Sequence, residues 1–283
     1  MSVSLQGTSV FITGATNGIG RLAARALVDL GARLIVHGRD PLKVEQTVRE
    51  LSSSGAGVSG SGVARGSVRG LVADLASLAQ VAQLAREVAE LEPELDVLIN
   101  NAGVGIGKDR SLRELGHDGF ELRFAVNFLA PFLLTERLLA VGAPRRALIN
   151  IASIGQEPLD FSDLMCEREY SSTRSYRRSK LALIAWSFEL ARSRPSLSVQ
   201  ALHPGTLLDT GMVRESGIEP HGPAHVGSDA ILNVLRHALG GGASGLYFDV
   251  QAPARAKPEA YDTALQAELR RHAEALTQPF RDR

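Results

Sequence analysis

Short apolar runs alternate with stretches of helical periodicity along the chain. Val10-Phe11-Ile12 predicts a buried strand ending at Thr13-Gly14. Ile19, Leu22, Ala23, Ala26, Leu27 and Leu30 then recur at helical spacing, with Gly31 placed as a C-terminal cap. Residues 33–37 predict a second strand, and Asp40-Pro41 offers an N-cap and first-turn proline for a helix to about residue 51. Residues 52–70, rich in Ser and Gly, predict a solvated loop. Further strands are predicted over 71–73, 96–99, 147–152, 199–202 and 246–250. Helices are predicted over 77–91, 118–141 (capped by Asp118, kinked at Pro131), 176–191 and 229–239. Continuous apolar strands alternating with helices imply a parallel sheet covered on both faces. The expectation is one α/β domain, doubly wound around seven parallel strands. Residues 1–250 form its body, and 251–283 form a tail of the same domain with a helix over 261–276.

Composition narrows the function classes. Lys and Arg total 31, as do Asp and Glu, so the net charge of zero offers no field for nucleic acid or anionic lipid. The single cysteine, Cys166, cannot form an internal disulfide, which fits a reducing compartment and a cytoplasmic protein. In its segment of charged neighbours it reads as inert. The first fourteen residues lack the basic region of a secretory signal. The most apolar stretch, 124–134, is far short of the roughly 20 residues of a membrane span and contains Asn127 and Pro131. His221 and His225 have a metal-like spacing, but Gly222 and Pro223 between them oppose a helix, so no metal is expected.

The turn Thr13-Gly14-Ala15-Thr16-Asn17-Gly18-Ile19-Gly20 lies between the first strand and the first helix. There, glycines allow a tight turn and close approach of a pyrophosphate to the helix N-terminus, the arrangement of dinucleotide-binding Rossmann domains. A tight strand-to-helix turn asks for glycine too. The second strand ends in His37-Gly38-Arg39, with no carboxylate before Arg39, and Asp40 is placed as a helix cap. A guanidinium there suits a ribose 2′-phosphate, favouring NADP(H) over NAD; the competing reading is a surface Arg in an Arg-rich chain. Arg65 and Arg69 are further cations nearby in sequence.

Tyr176 and Lys180 stand four residues apart on one face of a predicted helix. A free phenol titrates near 10, too high for acid–base work at neutral pH. An ammonium about 4–5 Å away is worth roughly 3–4 kcal/mol at an effective dielectric of 20, enough to bring the phenol toward working range. A Tyr packed beside a solvated Lys is the plainer alternative. Ser153 ends the fifth strand at the carboxyl edge, where open α/β sheets bind ligands, although a Ser there is also an ordinary turn residue. Asn100-Asn101-Ala102-Gly103 ends the fourth strand at the same edge, and Asn127 sits among apolar helix residues, where its amide needs partners.

Residues 13–20, Asp74-Leu75, residues 100–103, Asn127, Ser153, Tyr176 to Lys180 and Pro204-Gly205, in this order and spacing, resemble the short-chain dehydrogenase/reductase family across about residues 5–250. The resemblance implies a nicotinamide-dependent oxidoreductase interconverting a carbonyl and an alcohol. It makes Tyr176 the general acid/base, Lys180 its electrostatic partner and ribose contact, Ser153 the substrate-oxygen donor, and Asn127 the holder of a relay water. Gly14, Thr16, Asn17, Gly18, Ile19, Gly20, Arg39, Asp74, Leu75, Asn101, Ala102, Gly103, Pro204, Gly205, Thr206 and Thr210 become cofactor-binding positions. A homo-oligomer is the family's usual assembly. The interval from Ser153 to Tyr176 is longer than the common form, and its 159–164 stretch is similar to the retinol-dehydrogenase-like branch, whose membrane-anchoring N-terminus is not expected here. Thr210 comes one residue later after Pro204-Gly205 than the pattern implies. The pocket walls, 154–175 and 206–227, carry Leu159, Phe161, Leu164, Met165, Leu207, Leu208, Met212 and Val213, which read either as an apolar ligand surface or as loop anchors. Loss of a reacting side chain would have favoured a non-catalytic NADP(H)-binding sensor on the same fold; all four are present.

Overall fold

The computed structural model describes residues 5–53 and 66–281. One sheet holds β1 (Ser9–Ile12), β2 (Arg33–Gly38), β3 (Val68–Val72), β4 (Val97–Asn100), β5 (Ala147–Ile151), β6 (Ser198–His203), β7 (Leu246–Asp249) and β8 (Ala252–Ala254), in the order β3-β2-β1-β4-β5-β6-β7-β8. The order reverses between β1 and β4, which opens a crevice at their carboxyl ends. α1 (Gly18–Asp29), α2 (Pro41–Ser53) and α8 (His225–Leu239) cover one face. α3 (Leu78–Leu91), α5 (Ala130–Ala140), α6 (Ser172–Ser193) and α9 (Thr263–Thr277) cover the other. Phe124, Phe128, Phe132 and Trp186 interlock in that second layer at centroid spacings of 5.2–6.4 Å. Each buried aromatic of this size contributes about 1.5–3 kcal/mol.

Several expectations are corrected. Among the described residues the sheet has eight strands rather than seven. β8 pairs antiparallel with β7 through a turn at Val250, whose φ of 54° lies in the left-handed region. Its three residues are exposed and include Pro253, so they carry no apolar pattern. β3 begins at Val68, inside the predicted loop, because pairing with Leu34–Gly38 extends it. Residues 54–65 of that loop, Arg65 among them, lie outside the described residues. α6 starts at Ser172, where the amide donates to the Arg110 carbonyl and the hydroxyl to that of Ile106. α8 starts at His225 and crosses α1 at Gly227, where a Cβ would lie 2.7 Å from Ile19 Cδ1. The 118–141 helix is capped by Glu121 rather than Asp118. It runs through α4 (Leu122–Phe124), a π-helical turn (Ala125–Leu129) and α5. Pro131 has no N–H, so the Asn127 carbonyl is denied its i+4 donor at that turn.

His37, 2% exposed, ties three segments together behind the glycine turn. Its Nδ1 accepts the Gly14 N–H at 3.3 Å and its Nε2 donates to the Ala73 carbonyl at 3.0 Å, an arrangement that needs the neutral ring. Burial lowers its pKa to about 4, against the Ala73 carbonyl and Asp74, which favour the charged ring. At the other end of the molecule Arg270 fastens α9 to the body. It donates to Glu189 at 2.8 Å, Glu136 at 3.1 Å and Glu274 at 3.2 Å.

Two outcomes follow from these contacts. A folded-state pKa below the unfolded value means that His37's contribution is complete above pH 6.5 and is lost as the pH falls toward 4. Urea titrations across that window should show about 3 kcal/mol of lost stability that His37→Asn no longer shows. Arg270→Met, read by urea unfolding at neutral pH, should lower stability by about 2 kcal/mol, because it leaves Glu136 and Glu189 without their shared cation.

Candidate active site

The glycine turn is locked to the end of β4 before it meets any ligand. Thr13 Oγ1 accepts the Asn101 and Ala102 amides, each at 3.0 Å, and Asn101 Nδ2 donates to the Thr13 and Gly14 carbonyls at 2.8 and 3.0 Å. The Asn101 side chain therefore holds the turn. Gly14 has φ +66°, and a Cβ there would sit 2.7 Å from Ala102 Cα; at Gly20 it would sit 2.3 Å from the Gly14 carbonyl oxygen. Asn17 caps α1, its Oδ1 accepting the Gly18 amide at 2.7 Å, and the positive end of the helix opens into the crevice. Thr210 caps α7 (Gly211–Glu215) and packs on the turn, its Cγ2 lying 3.3 Å from where a Gly18 Cβ would be. The register that looked one residue long in sequence thus still delivers Thr210 to the turn. These residues fit a dinucleotide diphosphate: small backbone, a helix N-terminus and no acidic side chain among residues 13–20.

Arg39 is exposed at the end of β2, on the Asp74 side, while Asp40 is occupied in capping α2 through the Leu42 and Lys43 amides. Asp74 ends the β3 side of the cleft, accepting the Ala76 amide at 3.0 Å and bonding His117 Nε2 at 2.9 Å. Burial works against its charge, but those two partners and Arg39 outweigh it and hold the carboxyl below its usual range. Leu75 beside it is buried, and Pro204, Gly205 and Thr206 leave the end of β6, with Thr206 Oγ1 3.1 Å from His203 Nε2.

The reacting groups meet at the end of β5. The Ser153 hydroxyl accepts the Gly155 amide at 3.0 Å and lies beside the Tyr176 phenol, whose pKa it draws down. The Ser153 carbonyl is held from behind by Gln156 Nε2 at 3.1 Å and the Tyr247 hydroxyl at 3.2 Å. Lys180, 4% exposed, donates to the Ile151 carbonyl at 2.8 Å, and its Nζ lies 5.7 Å from the centroid of the Tyr176 ring. Burial pulls the Lys180 amine down to about 8. It also pushes the Tyr176 phenol above its ordinary value, opposed by the Ser153 hydrogen bond. This corrects the spacing argument: desolvation, rather than the neighbouring amine, dominates the phenol. The Asn127 side chain is fully occupied. Its Oδ1 accepts the Val104 amide at 2.9 Å, and its Nδ2 donates to the Val104 carbonyl and Ser179 Oγ, each at 3.1 Å. That leaves the side chain no spare N–H for a relay water.

Of the apolar wall residues, Leu164 and Leu208 are buried, Leu159, Phe161 and Met165 pack on the core, and Phe161 stacks on His272 of α9 at 5.3 Å. They are anchors. Ile154 stays 56% exposed beside Ser153, and Met212 reaches over Gly103 and Gly105. Cys166 is buried, and burial raises its thiol pKa. Nothing in the local pattern marks the roles of His37, Gln156, Tyr247 or His117, which join segments remote in the chain. Among the described residues, no three metal-ligating side chains converge, and no helix is long and apolar enough to cross a membrane.

Comparisons with known proteins agree with this geometry. The family profile described as short chain dehydrogenase matches residues 8–220. Human retinol dehydrogenase 14 is 39% identical over 214 residues, 71% of this chain and 62% of that protein. The chain thus spans under two thirds of this relative's length. A Streptomyces sp. (strain C5) protein, provisionally named daunorubicin C-13 ketoreductase DnrU, is 38% identical over 205 residues, 71% of this chain and 66% of its own. Among solved structures, an uncharacterized protein from Mycobacterium paratuberculosis superposes with TM-score 0.77 at 27% identity, covering 97% of this chain and 95% of that one. The Pseudomonas aeruginosa RhlG/NADP complex superposes with TM-score 0.66 at 25% identity, covering 87% and 95%. A glycine turn at the sheet's crossover, a Ser–Tyr–Lys cluster at the end of β5 and these relatives converge: the chain belongs to the short-chain dehydrogenase family, in its retinol-dehydrogenase-like branch.

Proposed function

We propose that the protein is an NADP(H)-dependent oxidoreductase that interconverts a carbonyl and an alcohol on a largely apolar small molecule, with Tyr176 as general acid/base. The observation that carries this reading is the convergence of Ser153, Tyr176 and Lys180 at the end of β5, with the buried Lys180 amine 5.7 Å from the centroid of the Tyr176 ring. When bound, the nicotinamide supplies or accepts hydride. In the reducing direction the substrate oxygen lies between the Ser153 and Tyr176 hydroxyls, and Tyr176 gives up its proton as negative charge grows on that oxygen. The Lys180 ammonium stabilises the phenolate left behind. A water on the Asn127 main-chain carbonyl restores the proton. Burial favours the protonated phenol, the form that gives up a proton when a carbonyl is reduced. Ile154, Val104 and Met212 offer an apolar surface, and the relatives' names point to retinol and to the C-13 ketone of daunorubicin as substrates of those proteins. Arg39 takes the 2′-phosphate, a preference supported by NADP-bound neighbours at 25% identity. The lone buried thiol suits the cytoplasm.

Fluorescence titration should show NADPH binding at least ~10-fold tighter than NADH, and Arg39→Leu should erase the difference. Carbonyls from retinal to polycyclic ketones, screened by NADPH oxidation, should yield a substrate on which Tyr176→Phe lowers kcat ~10²–10⁴-fold while NADPH affinity changes less than about twofold. NADPH binding without turnover of any carbonyl or alcohol would identify a binding protein instead.

A further inference from the structure

Glu121 is 0% exposed, and its two oxygens receive four donors. Oε2 accepts the Phe124 amide at 2.8 Å and the Ser175 hydroxyl; Oε1 accepts the Tyr170 hydroxyl at 2.9 Å and Arg123 Nη1 at 3.3 Å. A helix cap needs only the first of these, and a half-exposed Ser or Asp supplies it without burying a charge. The remaining three bonds come from outside the cap's own N–H. Ser175 directly precedes Tyr176 in α6. Tyr170 belongs to the long 154–175 wall. Arg123, 2% exposed, carries the tie onward, with Nε to the Gly105 carbonyl at 3.0 Å, Nη1 to the Tyr170 hydroxyl at 3.0 Å and Nη2 to Glu114 at 2.7 Å. The loop after β4, the start of the Asn127 helix, the cleft wall and the first turn of the Tyr176 helix therefore converge on one buried carboxylate.

We propose that Glu121 is a positioning residue for the Tyr176 hydroxyl, acting through Ser175, and that through Tyr170 and Arg123 the same carboxylate holds the 154–175 wall against the Gly105 loop. The inference rests on the oxidoreductase reading and deepens it: the wall and the acid are set by one anchor, so the cleft's shape and its proton donor are coupled. Displacing a catalytic group by about 1 Å from a distance can cost ~10²-fold in rate.

Glu121→Gln keeps the shape but replaces an accepting oxygen by an N–H facing donors, and Ser175→Ala removes one arm with little change in packing. In the full-length protein, both should lower kcat for carbonyl reduction, by ~10- to 100-fold for Glu121→Gln and ~5-fold for Ser175→Ala, with NADPH affinity within about twofold of wild type. Amide hydrogen exchange should quicken over 104–107 and 172–180 while 8–40 stays unchanged. Unaltered kcat in both folded variants, or exchange that rises alike everywhere, would overturn the proposal. Wild-type protein inactive on every carbonyl and alcohol would count against the oxidoreductase reading instead, and the exchange pattern would then decide the anchor on its own.

Discussion

The contact on which the site depends is the bond from Lys180 Nζ to the Ile151 carbonyl, 2.8 Å long and out of water. Ile151 is the last residue of β5, two before Ser153, and Lys180 is one turn beyond Tyr176. The bond therefore sets how α6 lies across the strand end, and with it the separation of the two hydroxyls. An ammonium in this place has a solvation cost that burial imposes and one strong acceptor partly returns, which is why the amine is pulled down to about 8. The same desolvation raises the phenol. Both groups are thereby biased toward their neutral forms, and a charge that develops beside them is felt at low effective dielectric.

The surroundings are built to keep that crevice in register. Asn100 donates to Asn150 at 2.8 Å and to Thr135 at 3.2 Å, and Asn150 donates to Ser187 at 2.8 Å, a buried chain joining β4, β5, α5 and α6. Lys257, far along the chain, donates its amide to Gln156 Oε1 at 2.8 Å, so the segment leading to α9 backs the residue that holds the Ser153 carbonyl. The side-chain N–H groups of both asparagines thus find acceptors out of water, and such buried pairings favour one arrangement of the four elements.

What was legible in the sequence was local. The glycine turn, the Tyr176–Lys180 pair, Ser153 after an apolar strand and Asp40 as a cap each declare themselves within a few residues, and each lies where its pattern implied. Residues whose function is to join distant segments were not legible. Glu121 meets Ser175 across 54 positions, Gln156 meets Lys257 across 101, and His37 meets Ala73 across 36. Nothing in their neighbours' periodicity marks them. The early starts of α6 and α8 and the added β8 were hidden for the same reason: tertiary partners at Ile106, Ile19 and β7, rather than local propensity, create them.

The most direct test is the titration of Tyr176 itself, followed by ¹³C NMR of ring-labelled tyrosine with Tyr176→Phe to assign the signal. The phenol should ionise above its ordinary value of 10, and higher again in Ser153→Ala, where the opposing hydrogen bond is gone. A midpoint at or below 10 that Ser153→Ala leaves unmoved would contradict a desolvated proton donor set beside Ser153 at this strand end.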